Sequence, residues 1–159
     1  MIKILFVCHG NICRSPMAEY IFRDKIEKLG LGDQFHITSA ATSTEELGNP
    51  PHQGTQKILS DLGISCYGKR AVQIQKKDYD AYDFILAMDD RNIKNMRRIL
   101  GEDKNHKIYK FLDFSQEPRN IADPWYTGNF DRTYEDILEA CDSFLEYLNQ
   151  EGVLGGMMI

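Results

Sequence analysis

The stretch from Ile2 to Gly30 constrains the fold of this chain more than any other. Ile2 to Val7 (IKILFV) is a short β-branched and apolar run, the pattern of a buried strand. Cys8-His9-Gly10-Asn11-Ile12-Cys13-Arg14-Ser15-Pro16 follows, poor in strand formers and holding a Gly and an Asn that tolerate positive φ. Ser15 before Pro16 marks a helix start, with the hydroxyl as cap and proline at the first helical position. Ala18, Phe22, Ile26 and Leu29 then recur at helical spacing, with Ile21 beside them, until Gly30. The segment reads strand, tight loop, helix.

That unit recurs. Phe35 to Ala40 reads as a second strand, and the turn-rich Gly48-Asn49-Pro50-Pro51 leads into a helix carrying Ile58, Leu59 and Leu62 up to Gly63. Asp83 to Met88 is a third strand, followed by a helix through Ile93, Met96 and Leu100 to Gly101. Lys107 to Leu112 is a fourth strand. A long loop, Asp113 to Asn129, precedes the clearest helix, marked by Tyr134, Ile137, Leu138, Cys141, Phe144, Leu145 and Leu148. Strands alternating with helices predict an α/β fold, a parallel sheet with helices on both faces. Residues 1–150 read as one domain, and Glu151 to Ile159, with three glycines and no helical period, as a loosely held tail. Ligands in such folds bind beyond the carboxyl ends of the strands, where the Cys8 loop and the Met88-Asp89 junction both fall.

Composition narrows the functional classes. With 42% apolar and 27% charged residues over 159 positions, the chain has the material for a core. Lys plus Arg number 19 against 24 Asp plus Glu, a net charge of −5, and this acidic balance without a basic run argues against general nucleic-acid affinity. Ile4 to Val7 is too short for a signal segment or a membrane span, so a cytoplasmic protein with no membrane association is expected. The four cysteines (Cys8, Cys13, Cys66, Cys141) contain no CxxC pair, and His36, His52 and His106 have no ligand spacing, so no metal and no cofactor are expected. Cys141 falls on the apolar face of the last helix and reads as a core residue.

Cys8 asks for a chemical explanation. Backbone N–H groups of a curled loop that runs into a helix form an anion-binding cup. Arg14, six residues after Cys8, can return its guanidinium to two oxygens of a tetrahedral oxyanion held above the sulfur. The same amides, the helix dipole and Arg14 favour the thiolate, a nucleophile aimed at phosphorus. Ser15 can donate a hydrogen bond to that sulfur when it leaves. Cys-x5-Arg alone is a weak signal, and only Cys8 makes it: six residues after Cys13, Cys66 and Cys141 stand Glu19, Val72 and Tyr147. The strand before and the helix after give it weight. A phenolate also leaves poorly without a proton, so a general acid is required. Asp123 stands in the long loop, made extended by Pro124, although Asp-Pro by itself is mostly a turn signal.

Val7-Cys8-His9-Gly10-Asn11-Ile12-Cys13-Arg14-Ser15-Pro16-Met17-Ala18-Glu19 resembles the signature of the low-molecular-weight protein tyrosine phosphatases. The likeness continues through Thr38-Ser39-Ala40-Ala41-Thr42-Ser43, Gly48-Asn49-Pro50-Pro51, Ile85-Leu86-Ala87-Met88-Asp89 and Asp123-Pro124-Trp125-Tyr126, covering residues 1 to about 150. The resemblance implies a four-stranded parallel sheet with flanking helices, a phosphate-binding loop after the first strand, and hydrolysis of phosphotyrosine in proteins through a phosphocysteine. It assigns Cys8 as nucleophile, Arg14 as phosphate-binding arginine and Asp123 as the acid, which returns as base in the second step. It makes Asn11 and Ser39 supports of the loop, Ser15 the hydroxyl that steadies the thiolate, and Cys13 a reversible redox partner of Cys8.

Around these, Trp125 and Tyr126 read as a wall for the substrate ring, or one of them as a core residue with the other exposed. His9 departs from the apolar or small residue expected beside the nucleophile and reads as pocket rim or as solvated. Glu45 stands where the family often has an aromatic, which argues against a preference for bulky apolar surroundings, and Lys69 replaces a family histidine, so part of the loop-supporting network is expected to be rewired. Asp89 reads first as a helix cap and second as a loop-orienting carboxylate. Glu135 to Glu146 reads as the solvated face of the last helix. Two neighbouring activities share the loop. An arginine phosphatase would carry threonine in place of Ile12, and a thiol-dependent arsenate reductase would need resolving cysteines that Tyr79 to Arg91 lacks.

Overall fold

The computed structural model describes residues 1–154. Its strands are β1 (Ile2–Cys8), β2 (Phe35–Ala41), β3 (Phe84–Ala87) and β4 (Ile108–Lys110). Its α-helices are α1 (Arg14–Lys28), α2 (Gln53–Asp61), α3 (Asp78–Ala81), α4 (Asp90–Leu100), α5 (Pro124–Thr127) and α6 (Phe130–Gln150). The strands pair in parallel in the order β2-β1-β3-β4, with Cys8 opposite Ala41 and Val7 opposite Ala87. β1 is therefore central, and its carboxyl end is flanked by those of β2 and β3.

Two-residue periodicity divides β1 between the two faces. Ile4, Phe6 and Cys8 join the core under α1 and α6, with Met17, Phe22, Phe111 and Phe144. Leu5 and Val7 join the opposite core with Ile74, Tyr79, Met96 and Leu100, beneath α3 and α4. Phe6 meets Phe22 edge-on at 5.9 Å and Phe111 at 4.9 Å between ring centroids. This double burial explains why β1 reads as a nearly unbroken apolar run, and truncating Phe6 to alanine costs about 3–5 kcal/mol.

Several boundaries differ from the sequence reading. β1 and β2 each run one residue further, to Cys8 and Ala41. β3 and β4 are shorter, because Phe111–Phe114 winds into a 3₁₀ turn whose Asp113 carboxylate accepts from the Lys110 N–H at 2.9 Å, and the Met88 N–H donates to Asn92 Oδ1 at 3.1 Å instead of a strand. α1 begins at Arg14 rather than after Ser15, and its N-cap residue Cys13 makes no side-chain cap. The long loop contains α5, with Asp123 as N-cap and Pro124 at the first helical position. Of the expected tail, Glu151–Leu154 turns back and buries Leu154 at 1% exposure against the α6 core, while 155–159 lie outside the described residues. Among the described residues no helix is long and apolar enough to cross a membrane.

Candidate active site

Cys8 ends β1 with 3% of its surface exposed, and the chain then curls from His9 to Cys13 into α1. The carbonyls of Cys8, His9 and Ile12 accept from Thr42, Ser43 and His52 N–H at 3.0, 3.0 and 2.7 Å. Cys13 C=O takes the Thr55 hydroxyl at 3.0 Å. With its carbonyls turned outward, the loop aims its N–H groups inward: among the described residues none from His9 to Cys13 donates to the protein. Asn11 makes the bend at φ 58°, a region asparagine tolerates better than most residues.

A buried chain of hydrogen bonds supports this loop. Asn11 Nδ2 donates to Ser15 Oγ at 2.7 Å and to Ser39 Oγ at 2.9 Å, and Asn11 Oδ1 accepts from the Val72 N–H at 3.2 Å. Because Ser15 Oγ already accepts from Asn11, its hydrogen is free to point at Cys8 Sγ, 3.1 Å away; the Ser15 N–H lies 3.4 Å from the same sulfur. Ser15 thus serves the sulfur rather than the helix end. Ser39 in turn donates to Glu19 Oε1 at 2.5 Å. Glu19, at 3% exposure, is held by Arg23 and by Lys69 Nζ at 3.4 Å, and Lys69 also donates to the Ser39 carbonyl at 3.0 Å. In sequence Glu19 is only one letter of the signature; the signal for its role is a carboxylate on the buried side of α1 between Ala18 and Phe22.

Arg14 closes the site from the other side. Its Nη1 donates to Asp89 Oδ2 at 2.7 Å and to the Ile121 carbonyl at 3.0 Å, and its Nη2 to Asp123 Oδ2 at 3.3 Å. Burial opposes the guanidinium charge, but Cys8, Asp89 and Asp123 outweigh it and raise its pKa further. Asp89 divides its two oxygens between two partners. Its Oδ1 accepts from the Asn92 N–H at 2.8 Å in a capping box, while Oδ2 aligns Arg14. Asp123 is similarly divided, its Oδ1 accepting from the Trp125 N–H at 3.0 Å. The Ile121 carbonyl is a contact that no side-chain pattern reveals.

These groups open onto a cavity of about 840 Å³ that includes Cys8, Cys13, Arg14 and Asp123 in its wall. Trp125 and Tyr126 stand at its edge, 63% and 75% exposed, so neither is a core residue. His9 is part of the rim, its Nε2 2.9 Å from Glu45 Oε2, and Gly10 and Ile12 complete the loop wall. Burial first, then the negative Cys8 and Asp123, push the Cys13 thiol up to about 12. Among the described residues no group of three or more His, Cys, Asp or Glu gathers to hold a metal.

A parallel α/β sheet with a buried thiol at the end of its central strand, inside a cup of inward N–H groups and one anchored guanidinium, defines a phosphate-loop protein with a cysteine at its base. Residues 3–154 match the family model described as low molecular weight phosphotyrosine protein phosphatase. Among curated relatives, the low molecular weight protein-tyrosine-phosphatase YfkJ of Bacillus subtilis is 43% identical over 95% of this chain and 98% of its own length. PtpA of Staphylococcus epidermidis, of the same description, is 39% identical over 97% and 98%. The crystal structure of YfkJ superposes with a TM-score of 0.89, at 44% identity over 95% of this chain and 96% of that one. That of SP-PTP from Streptococcus pyogenes gives 0.82 at 39% identity, covering 93% of each. The chain belongs to the low molecular weight protein tyrosine phosphatase family.

Proposed function

We propose that Cys8, Arg14 and Asp123 carry out the hydrolysis of phosphotyrosine in protein substrates. The phosphate monoester enters the cup of N–H groups from His9 to Cys13, with Arg14 on two of its oxygens. Cys8 Sγ attacks in line: a sulfur–phosphorus bond forms, the bond to the phenolic oxygen breaks, and Asp123 supplies the proton to the departing phenolate. Asp123 then takes a proton from water as its oxygen attacks phosphorus. The sulfur leaves, steadied by the Ser15 hydroxyl at 3.1 Å. Asp89 and the Ile121 carbonyl keep Arg14 aimed throughout, while Asn11 and Ser39 keep the loop open. Trp125 and Tyr126 flank the phenol ring, with His9 and Glu45 on the rim.

The observation that carries this reading is the shared guanidinium. Arg14 lies at the mouth of the thiol cup and also 3.3 Å from Asp123, so a phosphate held there sets its ester oxygen within reach of a carboxyl proton. Phosphate and related oxyanions should compete with substrate for the cup. A panel of phosphotyrosine, phosphoserine, phosphoarginine and arsenate, each with and without thiol reductant, tests the assignment. Turnover of phosphotyrosine well above the others supports it; faster release from phosphoarginine, or thiol-dependent reduction of arsenate, overturns it.

A further inference from the structure

α4 follows β3 and runs away from the cavity mouth, and its outer face is basic. At about 100° per residue, Arg91, Lys94 and Arg98 fall within about 60° of one another. They lie opposite the buried Asn92, Met96 and Leu100, and all three are exposed. Among the described residues none of the three makes an ion pair. The nearby carboxylates are occupied: Asp90 by Lys110 at 3.1 Å and Asp89 by Arg14. Arg91 also lines the cavity, so the stripe starts at the mouth and extends about 10 Å, the reach of about three extended residues. The opposite rim has the other sign. Glu45 and Glu46 line the same cavity on the segment after β2. Since β2 and β3 flank β1 on opposite sides, the charges are separated across the Cys8 loop.

Given the phosphotyrosine reading above, on which this rests, we propose that the Arg91–Lys94–Arg98 stripe docks an acidic stretch adjoining the phosphotyrosine, on one side of it only. The chain net charge of −5 makes this cationic strip a local exception that steers an acidic segment into register. Acidic residues on the other side of the phosphotyrosine meet Glu45 and Glu46 and are disfavoured.

Three phosphotyrosine peptides of equal length test this: one with three acidic residues before the phosphotyrosine, one with three after it, and one neutral. One acidic peptide should exceed the neutral one in kcat/KM by about tenfold at low salt, with the gain fading as salt rises, and the other should fall below it. The double variant Lys94→Glu/Arg98→Glu, changed only at exposed positions, should lose the gain while hydrolysing p-nitrophenyl phosphate at the parent rate. Equal effects of the two acidic arrangements, or an advantage that persists in the double variant, overturn the docking surface. A parent enzyme that leaves p-nitrophenyl phosphate and free phosphotyrosine intact would overturn the underlying activity and the docking surface with it.

Discussion

At the scale of single residues, the site depends on groups that serve two partners at once. Asp123 caps α5 with one oxygen and meets Arg14 with the other, so Asp123→Ala should remove the proton donor together with the α5 cap and one Arg14 contact, while Asp89 and the Ile121 carbonyl still hold the guanidinium. Aryl phosphates with basic leaving groups should then slow by about 10²–10⁴-fold, and activated ones far less; equal slowing across a leaving-group series would remove Asp123 from the acid role. Arg14→Lys tests the fork itself. A lysine cannot reach Asp89, the Ile121 carbonyl and a phosphate with one planar group, so kcat/KM should drop by at least about 100-fold, and a near-parental value would contradict the geometry. Cys13 shares the cavity with Cys8, and burial together with the neighbouring negative charge pushes its thiol up to about 12. Mild peroxide should inactivate the enzyme reversibly through a Cys8–Cys13 disulfide, closing faster as rising pH increases the Cys13 thiolate fraction. Peptide mapping that finds another bond would count against this pairing.

At the scale of elements, the phosphate loop is supported from behind by α1, β2 and the segment around Lys69. Lys69 Nζ reaches both the Ser39 carbonyl and the buried Glu19. Lys69→Met should thus cost about 1–3 kcal/mol by leaving Glu19 underpaired, read as a lower urea midpoint, with Lys69→Arg closer to the parent. An unchanged midpoint in Lys69→Met would show that Arg23 suffices. Much of this scaffold was legible in the sequence, because strand and helix periodicity depend on local chemistry: the IKILFV run, the helical spacing of Phe22 and Ile26, and Gly101 at φ 82° all stand where the pattern put them. That Cys8, Arg14 and Asp123 gather around one cavity was legible through motif and leaving-group chemistry. Contacts made at long range were not. The Ile121 carbonyl approaches Arg14 from 107 residues away, and Asp136 and Glu139, read as part of a solvated face, instead clasp Arg119 at 2.9 and 2.8 Å. The Ser15 hydroxyl, read both as a helix cap and as a donor to the Cys8 sulfur, makes no cap and lies 3.1 Å from that sulfur.

At the scale of the whole molecule, the Arg119 clasp ties the loop that carries Asp123 to α6. Hydrogen bonds from Arg119 and Ser115 lower Glu139 from 4.5 to about 2. Its contribution to stability is complete above about pH 4.5 and is lost as pH falls towards 2. Glu139→Gln should therefore lower the thermal midpoint at pH 7 and flatten its decline between those values; parallel parent and variant curves would contradict the coupling. At the alkaline end the sign reverses. The buried Cys13 thiol resists ionisation, so stability holds below about pH 9 and declines above it, as the unfolded chain gains thiolate. These global effects frame a local claim, that the sulfur at the end of the central strand bonds to phosphorus. Rapid acid quench of enzyme mixed with p-nitrophenyl phosphate, followed by mass mapping of its peptides, tests that claim most directly. A burst of p-nitrophenol and a phosphoryl adduct on the Cys8 peptide are expected, both absent from Cys8→Ser although that variant still binds vanadate. Steady turnover with no adduct, or an adduct on another residue, would contradict it.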